Sequence, residues 1–94
     1  MKLLYFRAGW CTVCHAKGPV AEEIARTMGL PLESFDIESD EGRALADERR
    51  VRTIPTLALV NGARTPFRLV GAMITPENAA HLKRLTGTPG SATS

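Results

Sequence analysis

GWCTVCH, residues 9–15, holds both cysteines of the chain, with a tryptophan before the pair and a histidine after it. Three kinds of chemistry use this spacing. A dithiol can cycle to a disulfide, a thiolate pair can hold a metal, and Cys-x-x-Cys-His can attach a c-type haem. What the flanking residues build decides among them. Before the motif, Leu3-Leu4-Tyr5-Phe6 is a continuously apolar run, suited to a strand buried on both faces. After it, Val13, Ala16, Val20, Ile24 and Met28 recur at intervals of three and four, which marks one face of a helix. Gly29 is the expected terminator. Pro19, which has no N–H, is expected to kink the helix and remove one of its hydrogen bonds.

The motif thus falls where a strand turns into a helix, with Cys11 at the helix start and Cys14 one turn in. A helix start presents unpaired N–H groups and the positive end of the dipole, and both favour an anion. A thiol placed there has its pKa lowered to roughly 3.5–7.5. His15, four residues after Cys11, shares its helix face and adds a tuning charge when protonated. Cys14, shielded by the turn above it, suits the part of a second, resolving thiol.

Further along, Leu32 to Ile37 reads as a second strand. Ser39 is placed to cap a helix reaching about Arg50, with Asp40 and Glu41 first and Arg49 and Arg50 last, an order that complements the dipole. Thr56 to Val60 reads as a third strand, Asn61-Gly62 as a turn and Phe67 to Val70 as a fourth strand. Thr75-Pro76-Glu77 opens a last helix, which Gly87 should close. The final TPGSATS, residues 88–94, has nothing to bury and is expected to be a disordered tail after a single domain of residues 1–87. The order strand, helix, strand, helix, strand, strand, helix predicts an α/β fold: one mixed four-stranded sheet with helices on both faces.

Composition narrows the function classes. The chain has 94 residues, 44% of them hydrophobic and 23% charged, which suits one small globular domain. A formal net charge of +2 with interspersed signs gives no footprint for nucleic acid. Arg49, Arg50 and Arg52 form the one basic cluster, expected to be a solvated helix end. No apolar run approaches the length of a signal-peptide core or a membrane span, so a soluble, cytoplasmic protein is expected. Both cysteines belong to one motif, which leaves no structural disulfide framework.

The combination of motifs resembles the thioredoxin family over about Leu3 to Leu85. "GWCTVC" is similar to the family's Trp-Cys-x-x-Cys active site, and Pro19 falls where thioredoxins kink the active-site helix. "VRTIPT", residues 51–56, resembles the Ile-Pro-Thr whose proline has a cis peptide bond facing the cysteines. Gly71-Ala72 matches the Gly-Ala that borders the substrate groove. The resemblance implies the thioredoxin fold, with sheet order 2-1-3-4 and three flanking helices, in a short form without the first strand and helix of full-length members, as in glutaredoxin-like proteins. It implies a thiol–disulfide oxidoreductase that works as a monomer without a cofactor. Cys11 is then the nucleophile and Cys14 the resolving cysteine, while Trp10, Ile54, Pro55 and Gly71 line the substrate groove. A disulfide-bearing protein or small thiol is the substrate, and a reductase or thiol donor the source of electrons. There are departures. Thr12-Val13 replaces the usual Gly-Pro between the cysteines. Tyr5 stands where the family carries a buried aspartate that helps deprotonate the resolving thiol, and Arg7 replaces a tryptophan.

The rival chemistries are weighed on their ligands. Cys11, Cys14 and His15 complete the haem-attachment pattern, with Met28, Met73 or His81 as a possible second axial ligand. The same three residues with His81 make a zinc-type ligand set. Haem attachment usually accompanies export, and nothing in the sequence pattern brings His81 to the cysteines. The redox dithiol is the expectation.

Overall fold

The computed structural model describes residues 1–86, in which the first apolar run becomes strand β1 (Lys2–Arg7). Helix α1 (Thr12–Met28), strand β2 (Leu32–Asp36), helix α2 (Asp40–Glu48), strands β3 (Thr56–Asn61) and β4 (Arg64–Val70) and helix α3 (Pro76–Thr86) follow, with a 3-10 turn at Gly71–Met73 between β4 and α3. The expected terminator Gly87 and the tail 88–94 lie outside the described residues. The sheet runs β2-β1-β3-β4. β2 pairs parallel with β1, while β1–β3 and β3–β4 are antiparallel.

β1 is central and buried from Leu3 to Phe6, as its unbroken apolar run requires. Side chains alternate between its two faces. Leu3 and Tyr5 join Leu57, Leu59, Phe67 and Leu69 under α1 and α3, where Ala21, Ile24, Ala25 and Ala79 close the layer. Leu4 and Phe6 point the other way and, with Ala58 and Val60, pack against Ala46 and Val51 at α2. Each large apolar side chain so buried contributes about 1.5–3 kcal/mol relative to exposure.

Several elements differ from the sequence expectation. Val13 and Ala16 are exposed, because the first turn of α1 projects past the apolar layer and its buried residue is Cys14. At Pro19, which lies inside α1, the expected loss holds, since proline brings no N–H to the carbonyl of His15. β4 begins three residues early and contains Pro66. This is tolerated because β4 is an edge strand, and Thr65 and Pro66 fall opposite the single residue Val60 where the register shifts.

α2 stops at Glu48 and does not reach Arg50. Arg50 turns left-handed, with φ of 59°. Its N–H donates to the Asp47 carbonyl at 3.2 Å, and that of Val51 to the Ala46 carbonyl at 2.8 Å. The same pair of bonds ends α1, from Gly29 to Arg26 and from Leu30 to Ala25. The arginine cluster is not simply solvated. The Arg49 side chain is only 12% exposed, and its guanidinium donates to the Gly62 carbonyl at 2.6 Å and to that of Arg64 at 3.4 Å. Arg68 in turn donates to the carbonyls of Arg49 and Arg50. These bonds tie the end of α2 to the β3–β4 hairpin.

Candidate active site

The buried β1 ends at Arg7, and the next residues fold back to start α1. Cys11 donates its N–H to the Ala8 carbonyl at 3.1 Å and takes the N-cap position, with extended φ and ψ. Its Sγ accepts the N–H of Cys14 at 3.1 Å, one of the donors that a helix start leaves unpaired. Sulfur at this position does what a serine or aspartate oxygen does at an ordinary cap. A donor at a helix start suits an anionic sulfur once the pair is reduced.

Cys11 and Cys14 are joined as a disulfide, with their Cα atoms 5.2 Å apart. The two sulfurs are not equivalent in access. Cys11 is 8% exposed and Cys14 1%. Ala8 lies with them, and Ile37 and Ile54 pack against the group. This apolar wall places Ile54, which stands just outside the strand ladder, beside the motif from the far side of the sheet.

The Ile54–Pro55 peptide bond is cis. Pro55 is fully buried and its carbonyl accepts the N–H of Gly71 at 2.9 Å, so the segments before β3 and after β4 are held together. Gly71 has φ of +57°, and a Cβ there would meet open space. Trp10 is 67% exposed and shares a groove of about 360 Å³ with Ile37, Ile54, Arg43, Asp47 and Arg52. The structure thus brings Trp10 and Ile54 to one groove, with the Pro55 ring beneath the surface and not lining it. Val13, between the cysteines, and Met73, two residues after Gly71, are the other large exposed apolar side chains of this end.

The ring of His15 donates from Nε2 to the Gly9 carbonyl at 2.9 Å, since a carbonyl can only accept. This bond braces the turn before Cys11. His81 lies exposed on α3, and Met28 packs in the core some 14 residues along α1 from Cys14, about 20 Å at helical rise. Among the described residues no group of three or more His, Cys, Asp or Glu side chains is placed to hold a metal ion. The metal alternative has no ligand set here.

Behind the cysteines, the hydroxyl of Tyr5 donates to the Cys14 carbonyl at 2.5 Å. Burial pushes the Tyr5 phenol up from its ordinary 10.0, and the charge of Arg7 pulls it partly back. Sequence reasoning singled out Tyr5 as a missing base but not as a hydrogen-bond donor. The apolar character of the β1 run, with one hydroxyl among hydrocarbon side chains, was the available signal, because a buried hydroxyl requires a partner.

The family model for thioredoxin matches residues 1–84. Thioredoxin 1 of Nostoc sp. is 32% identical over 71 residues, 76% of this chain and 66% of that protein. The thioredoxin of Mycolicibacterium smegmatis is 38% identical over 72 residues, 74% of this chain and 64% of that protein. The chain therefore spans just under two thirds of the length of each. Among solved structures, thioredoxin 1 from Thermosipho africanus matches with a TM-score of 0.74 and 25% identity over 90% of this chain and 93% of that one. A mutant thioredoxin from Halobacterium salinarum matches with a TM-score of 0.65 and 31% identity, over 92% and 71% of the two chains.

Proposed function

The chain belongs to the thioredoxin family, and on that premise we propose that it is a thiol–disulfide oxidoreductase that reduces disulfides of protein or small-molecule substrates. One observation carries the reading. Cys11 caps α1 with its sulfur on a backbone N–H, while Cys14 lies one turn deeper and is almost wholly shielded. That asymmetry suits an attacking and a resolving thiol.

In the reduced protein the Cys11 thiolate attacks one sulfur of the substrate disulfide. A Cys11–substrate S–S bond forms, and the other substrate sulfur leaves with the electron pair and takes a proton. Cys14, deprotonated, then attacks Cys11. The Cys11–Cys14 bond forms, the remaining substrate thiol is released, and the substrate is reduced by two electrons. A reductase or a thiol donor must restore the dithiol. Trp10 and Ile54 provide the apolar contact for an extended substrate segment, Gly71 gives a close approach for its backbone, and Pro55 holds the two segments in place. His15 acts by bracing the turn that presents Cys11. No cofactor is needed. Both reacting sulfurs lie on one chain, which suits a monomer, and a chain whose two cysteines form one redox pair suits a reducing cytoplasm. No helix among the described residues is long and apolar enough to cross a membrane.

The test uses a protein disulfide with dithiothreitol as donor. The protein should accelerate reduction, Cys11→Ser should abolish the effect, and Cys14→Ser should accumulate a mixed disulfide visible by mass and released by reductant. Full activity in both single variants would sink the mechanism.

A further inference from the structure

Resolution requires the Cys14 thiol to lose its proton in a place where the obvious acceptor is unsuited. Tyr5, whose hydroxyl already donates to the Cys14 carbonyl, has its pKa raised by burial and is no base at neutral pH. A cleft of about 350 Å³ opens on this side of the motif, away from the Trp10 groove, between α1 and the β1–β2 edge. Cys14, His15, Gly18 and Glu22 line it from α1, Tyr5 and Arg7 from β1, and Leu32 and Ser34 from β2. Arg7 lies two residues after Tyr5, on the same face of β1 and therefore toward α1.

We propose that Arg7 favours the thiolate of Cys14 and so sets the rate of the resolving step, with the cleft as the exit for the proton. This rests on the thiol–disulfide reading above. Arg7 forms no ion pair among the described residues, so its charge is not neutralised by a carboxylate. That charge is already felt at the Tyr5 hydroxyl, itself hydrogen-bonded to Cys14. The charged and titratable groups that share the cleft with Cys14 are Tyr5 and Arg7 from β1, His15 beside it on α1 and Glu22 two turns further along that helix. β2 contributes only neutral residues to the cleft, and Ile37 and Ile54 make the opposite wall apolar. Glu22 is the one group of opposite sign and opposes Arg7. In the step itself the Cys14 proton passes to solvent at the cleft. The sulfur's electron pair forms the bond to Cys11 as the bond from Cys11 to the substrate sulfur breaks, and the departing sulfur takes up a proton.

The experiment titrates Cys14 alone, in reduced Cys11→Ser protein, by thiolate absorbance in the ultraviolet. Arg7→Gln should raise the apparent pKa by about 0.5–1 unit, or ~3–10-fold less thiolate at neutral pH, a range reduced for the partial exposure of Arg7. Arg7→Lys should restore the parent value, and Glu22→Gln, on the exposed side of α1, should move it down. With Cys11 present, Arg7→Gln should slow decay of the mixed disulfide by a similar factor. An unmoved titration in Arg7→Gln, or an equal rise in Arg7→Lys, overturns the proposal. Should Arg7→Gln not fold, Arg7→Met is titrated in its place, and a titration identical to the parent's overturns the proposal. Mixed-disulfide formation by Cys14→Ser is measured alongside. Its absence counts against the oxidoreductase reading, whereas its presence with an unmoved Cys14 titration counts against Arg7 only.

Discussion

The hydroxyl of Tyr5 lies 2.5 Å from the backbone carbonyl oxygen of Cys14 and donates to it. A central strand is thereby fastened to the peptide that carries the inner cysteine. The bond needs a neutral phenol, and burial keeps it neutral by raising its pKa. Stability of the fold and position of the second sulfur therefore depend on one proton.

Tyr5→Phe keeps the ring in the core and removes that donor. The loss should be about 1 kcal/mol at neutral pH, a typical net value for one hydrogen bond. The pH dependence is more specific. In the unfolded chain the phenol ionises near 10.0, and in the fold it ionises higher. The native state then binds a proton that the unfolded state gives up, so the contribution is complete below pH 10 and falls as pH rises through the folded value. As pH rises above about 10 the parent should lose more stability than Tyr5→Phe. Tyr5 is the single tyrosine of the chain, so tyrosinate absorbance follows it directly. Parallel alkaline profiles for the two proteins would refute the assignment.

The two helix ends make a second comparison. Gly29 and Arg50 occupy the same left-handed position, at φ of 68° and 59°. Only Gly takes that conformation without steric cost, which for other L-residues is roughly 1–2 kcal/mol. Arg50→Gly should raise stability by up to ~1 kcal/mol, part of the relief being offset by greater freedom in the unfolded chain. Gly29→Ala should lower stability by about 1 kcal/mol. Denaturant midpoints with unchanged slopes are the readout. Changes of the same sign in both variants would contradict the reading of Arg50 as strained.

Arg50 also shows where sequence reading reaches its limit. Gly29 announces the end of α1, whereas α2 ends in the same hydrogen bonds without a glycine, so charge order alone carried the expected helix on to Arg50. What stops it lies elsewhere in the fold: Arg68 bonds the carbonyls of Arg49 and Arg50, and Val51 turns into the core. Pro66 hid the start of β4 for a similar reason, since only its edge position permits it. Gly42 carried no signal at all, yet a Cβ there would collide with the Asp36 carbonyl where α2 meets the end of β2. The order of elements, the place of Cys11 at the helix start and the shielding of Cys14 were legible, because each follows from local periodicity or from the strand-to-helix turn, whereas the sheet order came with the family resemblance. The Tyr5 bond, the Arg49 contacts and the cleft behind Cys14 arise between segments far apart in the chain.

Trp10 offers the test of substrate capture. It is 67% exposed and outside the core, so Trp10→Ala should leave the denaturant midpoint within about 0.5 kcal/mol of the parent. A large exposed aromatic beside the reactive sulfur has apolar area to bury only when a partner covers it, and such anchors are typically worth about 1–2 kcal/mol at an interface. For a protein disulfide, KM should therefore rise ~5–30-fold while kcat changes little, the pattern of lost uniform binding. A small disulfide such as oxidised dithiothreitol or a disulfide of two mercaptoethanols cannot cover both the sulfur and the indole, and its rate should be nearly unaffected. The two substrates separate contact from chemistry. Were kcat to fall equally for both, Trp10 would be acting on the Cys11 thiolate, and the groove it shares with Ile54 would not be where the protein substrate lies.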